Sequence, residues 1–201
     1  MRAPFPYFGG KSRAAALVWS RFGCVKNYVE PFAGSLAVLL ARPCKHLSLP
    51  PPIETVNDAE GFIANFWRAL QADPRGVAEW ASWPVNEADL HARHLWLDAE
   101  GRRRLEPVFT DPDFFDAQVA GWWVWGVCQW FGRGWCSYGA TWRKMPRLGD
   151  RGNGVHIPGP RADTCDGRLA DIIERFGLLA DRLRGVRVCC GDWTRVLSET
   201  P

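Results

Sequence analysis

Three short stretches hold residue types whose spacing could bind a small polar ligand. The first is Phe32-Ala33-Gly34-Ser35, which follows a β-type run, Asn27-Tyr28-Val29-Glu30, and precedes the apolar run 36–41. A glycine in a strand-to-helix turn lets a ligand approach the main chain, and N–H groups at a helix start favour negative charge. The turn lacks both the GxGxxG spacing of dinucleotide folds and the Gly-Lys-Ser/Thr ending of a phosphate loop, so by itself it equally suits a packing turn. The second is Asp58, at the end of Ile53-Glu54-Thr55-Val56-Asn57. One carboxylate there has acceptor sites enough for both hydroxyls of a ribose. It also suits the N-cap of a helix opening at Ala59. The third is Gly9-Gly10-Lys11, a cation after a flexible turn that could grip a ligand carboxylate, with Tyr7 and Phe8 alongside. A lysine at a helix start is disfavoured by the dipole, which argues for a use beyond solvation.

These residues need elements to position them. Residues 11–22 read as helix, 27–30 as strand, 36–41 as a buried helix stopped by Arg42-Pro43, and 53–56 as strand. A helix over 59–72 places Phe62, Ile63, Phe66, Trp67 and Leu70 on one face. Strand, loop and helix repeated twice imply an α/β fold with a parallel sheet. Ligands of such sheets sit at the carboxyl ends of the strands, where Glu30 and Asp58 fall.

From about residue 73 the pattern changes. Trp80, Trp83, Trp96, Trp122, Trp123, Trp125, Trp130, Trp135 and Trp142, most of the 12 tryptophans, lie here. Helices are expected over 86–97 and 113–131, and 132–160 lacks periodicity. Trp122, Trp123, Trp125 and Trp130 cannot share one helical face, so most are expected to pack inward. The α/β pattern returns at 166 with Leu169, Ile172, Ile173, Phe176, Leu179 and Leu183 at helical spacing. A strand, Val186-Arg187-Val188-Cys189-Cys190, then ends at Gly191-Asp192-Trp193. The expected organisation is a sheet-forming part over 1–72, a mostly helical Trp-rich insertion over 73–165, and a return to the sheet over 166–201.

Composition sets outer bounds. With 201 residues, 47% hydrophobic and 23% charged, the chain can bury a core, which excludes disorder, collagen and coiled coil as overall descriptions. A net charge of +3 is too small to declare a polyanion partner, so local charge must decide. Between 141 and 162, Arg143, Lys144, Arg147, Arg151 and Arg161 face a single acid, Asp150. That excess suits phosphate contact, and on charge alone it equally suits a solvated loop. Arg102-Arg103-Arg104 is a second, weaker cluster. Seven cysteines without a CxxC spacing imply no metal site. His91 and His94 lie three apart beside Asp89 without a third ligand and receive no role. Free thiols, the absence of an apolar signal core and the shortness of the run 36–41 point to a soluble cytoplasmic protein without a membrane span.

Taken together, Phe8-Gly9-Gly10-Lys11, then Glu30-Pro31-Phe32-Ala33-Gly34-Ser35, then Val56-Asn57-Asp58 before a helix resembles the Dam-like family of DNA adenine N6-methyltransferases. The resemblance covers residues 4–70 and resumes at 186–193. It implies a Rossmann-like methyltransferase sheet that uses S-adenosylmethionine, with a target-recognition insertion. Tyr7, Gly10 and Lys11 would then contact the methionine portion, Lys11 through its carboxylate. Glu30, Pro31, Phe32, Ala33, Gly34 and Ser35 would form the first cofactor loop, Asp58 would take the ribose hydroxyls, and Asp192 with Trp193 would border the adenine. Double-stranded DNA would be the partner, held by Arg143, Lys144, Arg147 and Arg151, with the target base extruded from the duplex.

Two departures stand out. Leu36 is bulky where the loop often carries a third small residue; it either reshapes the cofactor's bed or anchors the following helix. More important, the family transfers its methyl group at an Asp-Pro-Pro-Tyr or Asn-Pro-Pro-Tyr motif, and no such tetrapeptide occurs here. Pro50-Pro51-Pro52 is flanked by Leu49 and Ile53 and offers neither the polar group nor the ring. No catalytic residue is therefore assigned, and the chain is expected to be an inactive fragment that stops before the catalytic strand, prone to self-associate through an unpaired strand edge. The alternative is a non-catalytic DNA- or nucleotide-binding remnant of the family; an oxidoreductase is disfavoured by the missing glycine fingerprint. Replacing Arg143 and Lys144 by Ala should flatten the salt dependence of DNA binding measured by fluorescence anisotropy. An unchanged slope would remove those residues from the interface.

Overall fold

The computed structural model describes residues 1–43, 51–111, 113–131, 134–136, 147–148, 155 and 165–197. Helix α1 (Ala15–Phe22) leads to strand β1 (Asn27–Glu30), the single turn α2 (Ala37–Leu40), strand β2 (Ile53–Asp58) and helix α3 (Gly61–Ala72). Helices α4 (Pro74–Ala81), α5 (Glu87–Trp96), α6 (Arg102–Arg104) and α7 (Ala117–Val127) follow, with a π-helical turn at Leu97–Gly101 joining α5 to α6. Strands β3 (Trp130–Phe131) and β4 (Arg147–Leu148) pair antiparallel. Helix α8 (Cys165–Leu183) and strand β5 (Val186–Cys190) complete the order.

Strands β1, β2 and β5 form a parallel sheet with β2 in the middle, so the chain is α/β as the repeated strand–helix pattern implies. Register sets Glu30 opposite Val56 and Asp58 opposite Cys190, so all three carboxyl ends lie side by side. Helix α3 packs against β2, β5, α7 and α8. That explains why Phe62, Ile63, Phe66, Trp67 and Leu70, the apolar face read from the sequence, are all 1% exposed or less. Helices α4 and α7 share this core, so the tryptophan-rich middle is packed onto the sheet-forming part.

At the amino end of β2 a buried carboxylate occupies a position that alternation assigns to the core. Glu54 accepts hydrogen bonds from Arg42 at 3.2 Å and from Arg182 at 2.8 and 3.0 Å. Arg42 also lies over the ring of Trp19, 5.2 Å from its centroid. Two guanidinium partners are what make an acid tolerable at 3% exposure.

Several element limits differ from expectation. Helix α3 starts at Gly61, with Glu60 as its cap, because Asp58 turns back to accept the Glu60 N–H. Helix α7 covers 117–127 rather than 113–131: Asp116 caps its start by accepting the Val119 N–H, and Trp130 already belongs to β3. Helix α4 was not expected, although Asp73 as cap and Pro74 in the first turn are its signals. Trp123 and Trp125 are buried, and Trp122 meets Trp80 and Trp96 edge to face at 5.8 and 5.0 Å. Arg93 fills the space between Trp125, Trp83 and Trp122, with its guanidinium carbon 4.2, 4.9 and 5.1 Å from their centroids. Cys24 is disulfide-bonded, against the expectation of free thiols; which cysteines meet is a matter of fold rather than spacing. Among the described residues no helix is long and apolar enough to cross a membrane, and no group of three or more His, Cys, Asp and Glu side chains could hold a metal ion.

His94, the histidine without a sequence-assigned role, is 1% exposed and lies 5.2 Å from the ring centroids of both Trp130 and Trp135. Its Nδ1 accepts the Cys136 N–H at 3.2 Å, which puts the neutral ring's proton on Nε2. Burial lowers its pKa, opposed by Asp98 and assisted by His91. The folded state thus prefers neutral imidazole, and the stability this contributes is complete above the unfolded value of 6.5 and lost as pH falls toward the depressed folded value. His94→Gln should therefore reduce the fall in melting temperature between pH 7 and pH 5, followed by circular dichroism; an equal fall would contradict this assignment.

Candidate functional site

The site grows from the last two residues of β2. Asn57 is 1% exposed and cannot be left unpaired. Its Nδ2 donates to the carbonyl of Pro31, after β1, at 3.2 Å and to that of Gly191, after β5, at 3.0 Å. Its own carbonyl accepts the Ala33 N–H at 2.8 Å. Asp58 continues the bridge: Oδ2 accepts the Gly34 N–H at 2.9 Å, Oδ1 accepts the Glu60 N–H at 3.0 Å, and its carbonyl accepts the Gly191 N–H at 3.0 Å. The central strand thereby holds the loops of both neighbours.

Gly34 shows why that loop requires glycine. Its φ is +47°, and an added Cβ would lie 2.6 Å from Cε1 of Tyr7. Its carbonyl accepts from the indole Nε1 of Trp67 at 2.9 Å. Tyr7 therefore rests directly on the glycine, and the N-terminal segment, the loop after β1 and helix α3 meet at one residue. Lys11 reaches over the same loop, its Nζ donating to the Phe32 carbonyl at 3.2 Å. Lys11, the Gly34 turn and the Asp58 carboxylate thus meet at the carboxyl ends of β1 and β2.

The fields agree with that convergence. Burial and then the charges of Asp58 and Glu60 push the Tyr7 phenol up to about 12, so it stays a neutral hydroxyl. Cys190, opposite Asp58, is raised to about 11, first by burial and then by the same two acids. Glu60 is itself raised by burial, with Arg102 3.8 Å away opposing the shift.

Other expected residues sit differently. Glu30 is turned into the interior, where its Oε2 accepts from the Tyr28 hydroxyl at 3.0 Å and from the Leu39 N–H at 3.3 Å, and burial raises its pKa. Through these bonds it ties β1 to α2. The N–H groups of Ala33, Gly34 and Leu36 are taken by Asn57, Asp58 and Ala33, so the turn supplies closeness to the main chain rather than the row of open donors its sequence suggested. Leu36 has φ +52° and is fully buried, so it anchors α2. Asp192 uses its carboxylate on the N–H and hydroxyl of Thr194, capping a short 3-10 turn; those bonds hold it below the usual carboxylate range. Trp193 is 44% exposed and Phe32 58%, with ring centroids 6.2 Å apart, forming an open aromatic pair above the ends of β5 and β1.

For the basic residues the outcome is mixed. Arg143, Lys144 and Arg151 lie outside the described residues, and Arg147 begins β4 opposite Phe131. Arg102, Arg103 and Arg104 are each engaged by acids: Asp98 at 2.9 Å, Glu100 at 2.6 Å and Asp116 at 2.7 Å. That cluster is a set of ion pairs rather than an open basic face.

Asn57 is the residue that sequence reasoning passed over; an amide at the buried end of a central strand, with loops on both sides, was the available signal. Asn57→Ala leaves two carbonyls without their donor and should cost roughly 1–3 kcal/mol, measured by urea unfolding; a loss under about 0.5 kcal/mol, within the range of neutral surface changes, would contradict the bridging role. These contacts are the ground on which function must be argued, since no protein-family model matches the chain and no curated protein aligns with it.

Proposed function

We propose that the chain is the cofactor-binding and target-recognition portion of a DNA adenine N6-methyltransferase that uses S-adenosylmethionine. The observation that carries the reading is the meeting of Lys11, the Gly34 turn and Asp58 at the carboxyl ends of adjacent parallel strands. These are the three motifs on which the sequence resemblance rests, and a Rossmann-like methyltransferase would use them together. A ligand site in an open α/β sheet is expected at this end.

The residues fit an aminoacyl nucleoside. Asp58 spends one hydrogen bond on each oxygen, which leaves acceptor capacity for vicinal ribose hydroxyls. The exposed rings of Phe32 and Trp193 offer an apolar edge for a purine. Lys11, whose ammonium donates among the described residues to the Phe32 carbonyl, has protons left for a carboxylate. When bound, S-adenosylmethionine would supply an electrophilic methyl group on a sulfonium. This chain's part would be to bind and orient that donor: Lys11 would hold its carboxylate, and Asp58 would fix its sugar. The reactive Asp-Pro-Pro-Tyr motif is not among the 201 residues, and no transfer step is assigned to any residue here. The same absence favours one second reading, a family remnant that binds nucleotide or DNA without transferring a methyl group.

Isothermal titration calorimetry of the chain with S-adenosylmethionine tests the proposal. Saturable binding is expected, with Asp58→Ala and Lys11→Ala each weakening it by about tenfold or more, the worth of one charge-assisted contact. Absence of binding, or variants that bind as the wild type does, would overturn it, and tighter binding of a nicotinamide dinucleotide would favour an oxidoreductase.

A further inference from the structure

Cys136 is a buried non-glycine residue whose backbone lies in the left-handed region, with φ +51°. Such a conformation persists only where the surroundings over-determine it. Here side chains from the α5–α6 stretch take both of its main-chain groups. His94 Nδ1 accepts the Cys136 N–H at 3.2 Å, and Nη2 of Arg102 donates to the Cys136 carbonyl. Arg102 is itself fixed, 2.9 Å from Asp98 and with its guanidinium carbon 5.0 Å from the centroid of Phe62. Trp135, beside Cys136, is fastened to another element. Its Nε1 donates to the Trp123 carbonyl at 3.1 Å, and its ring lies on Gly126, where no Cβ would fit. That indole is a fixed wall for the His94 ring, and Cys136 is the part that the clamp can hold or let go.

His94 is the member of this clamp whose charge changes near neutral pH. Around it, α5 and the π-helical turn bring His91 and Asp98, α6 brings Arg102, and Cys136 brings a thiol that burial keeps protonated. Arg93, next on α5, is turned into the space between Trp83, Trp122 and Trp125, and α7 has no charged residue. The ring neighbours Trp130 and Trp135 are uncharged. Indole faces and Asp98 both attract a cation, but burial dominates and lowers the pKa of His94. At the hydrogen bond the conflict is geometric: a proton on Nδ1 removes the acceptor and sets N–H against N–H. Two further features favour an open state. The left-handed Cys136 backbone can relax there, and Trp130 Nε1, buried without a partner among the described residues, can meet water.

We propose that His94 is a proton-operated latch: the neutral ring keeps Cys136 closed against α5, and the imidazolium releases it. Cys136 lies in sequence between β3 and β4, and Trp130 of β3 rests on the same ring, so the latch governs how this strand pair is held to α5. The release is local and distinct from the effect of pH on melting, because Cys136 becomes accessible while the rest of the core stays packed. A histidine that loses its acceptor on protonation biases a two-state element in this way. The inference does not depend on the function proposed above.

The test is the rate at which N-ethylmaleimide labels Cys136, read by peptide mass spectrometry without reductant. Dividing by the rate in the urea-unfolded chain at the same pH removes the titration of the thiol itself. Between pH 7.5 and pH 5.5 this ratio should rise more than twofold, with a ceiling of about tenfold for a group whose unfolded value is 6.5. Cys128, a buried free thiol that donates to the Pro4 carbonyl, is the internal control and should not follow. In His94→Gln, whose amide oxygen accepts a hydrogen bond but gains no proton, the ratio should stay flat. Arg102→Gln removes the other half of the clamp and leaves the imidazole, so Cys136 should react faster at pH 7.5 and still accelerate on acidification. A wild-type rise below twofold, an equal rise in His94→Gln, a parallel rise at Cys128, or a pH-independent ratio in Arg102→Gln would each overturn the proposal. The Arg102 arm decides the matter if His94→Gln does not fold.

Discussion

Two adjacent polar side chains at the end of β2 decide whether the loops around them have a shape. Strand β1 is four residues long and finds its only described strand partner in β2, so backbone pairing alone gives little hold on the turn that follows it. The amide of Asn57 and the carboxylate of Asp58 reach sideways to that turn and to the one after β5. Each bond contributes only about 1 kcal/mol net, but every one lost would strand a partly buried polar group, and that asymmetry is what makes the arrangement discrete. The loops are then positioned by the same residues that would meet a ligand, which ties stability to site geometry.

Gly34 transmits that constraint outward. Its N–H, carbonyl and Cα are each met by a different part of the chain: Asp58, Trp67 and Tyr7. Tyr7 in turn follows Phe5, which is 2% exposed and packs against Phe66, Trp67 and Trp123 with centroids 5.4, 5.7 and 5.1 Å apart. Trp123 belongs to α7, in the tryptophan-rich middle. A continuous aromatic layer therefore joins the inserted helices to the turn at the sheet's end. Close-packed interiors have low compressibility and transmit strain, so the insertion and the loop are mechanically related through this layer.

Charge is arranged by the same economy. Several acids of the middle region are matched to arginines within it, among them Asp98 with Arg102 and Asp116 with Arg104, and the acid of β2's first half is matched by Arg42 and Arg182. Lys11 is anchored differently, by donating to the Phe32 carbonyl of the loop after β1.

Periodicity and end signals in the sequence were enough to locate the three sheet strands and the apolar faces of α3 and α8; that Lys11 would join Gly34 and Asp58 was implied by the family resemblance and not by any local pattern. They were enough because side-chain alternation, helical spacing and the handedness of strand–helix–strand connections are local or topological rules. Tertiary structure alone decided who meets whom. It put Glu30 into the interior, took the turn's N–H groups for Asn57, Asp58 and Ala33, ended α7 before Trp130, and paired Arg102, Arg103 and Arg104 with acids. Asn57 shows the reason most plainly: one of its two partners is 134 residues away, and no local pattern carries information about a contact that exists only once β5 has packed beside β2.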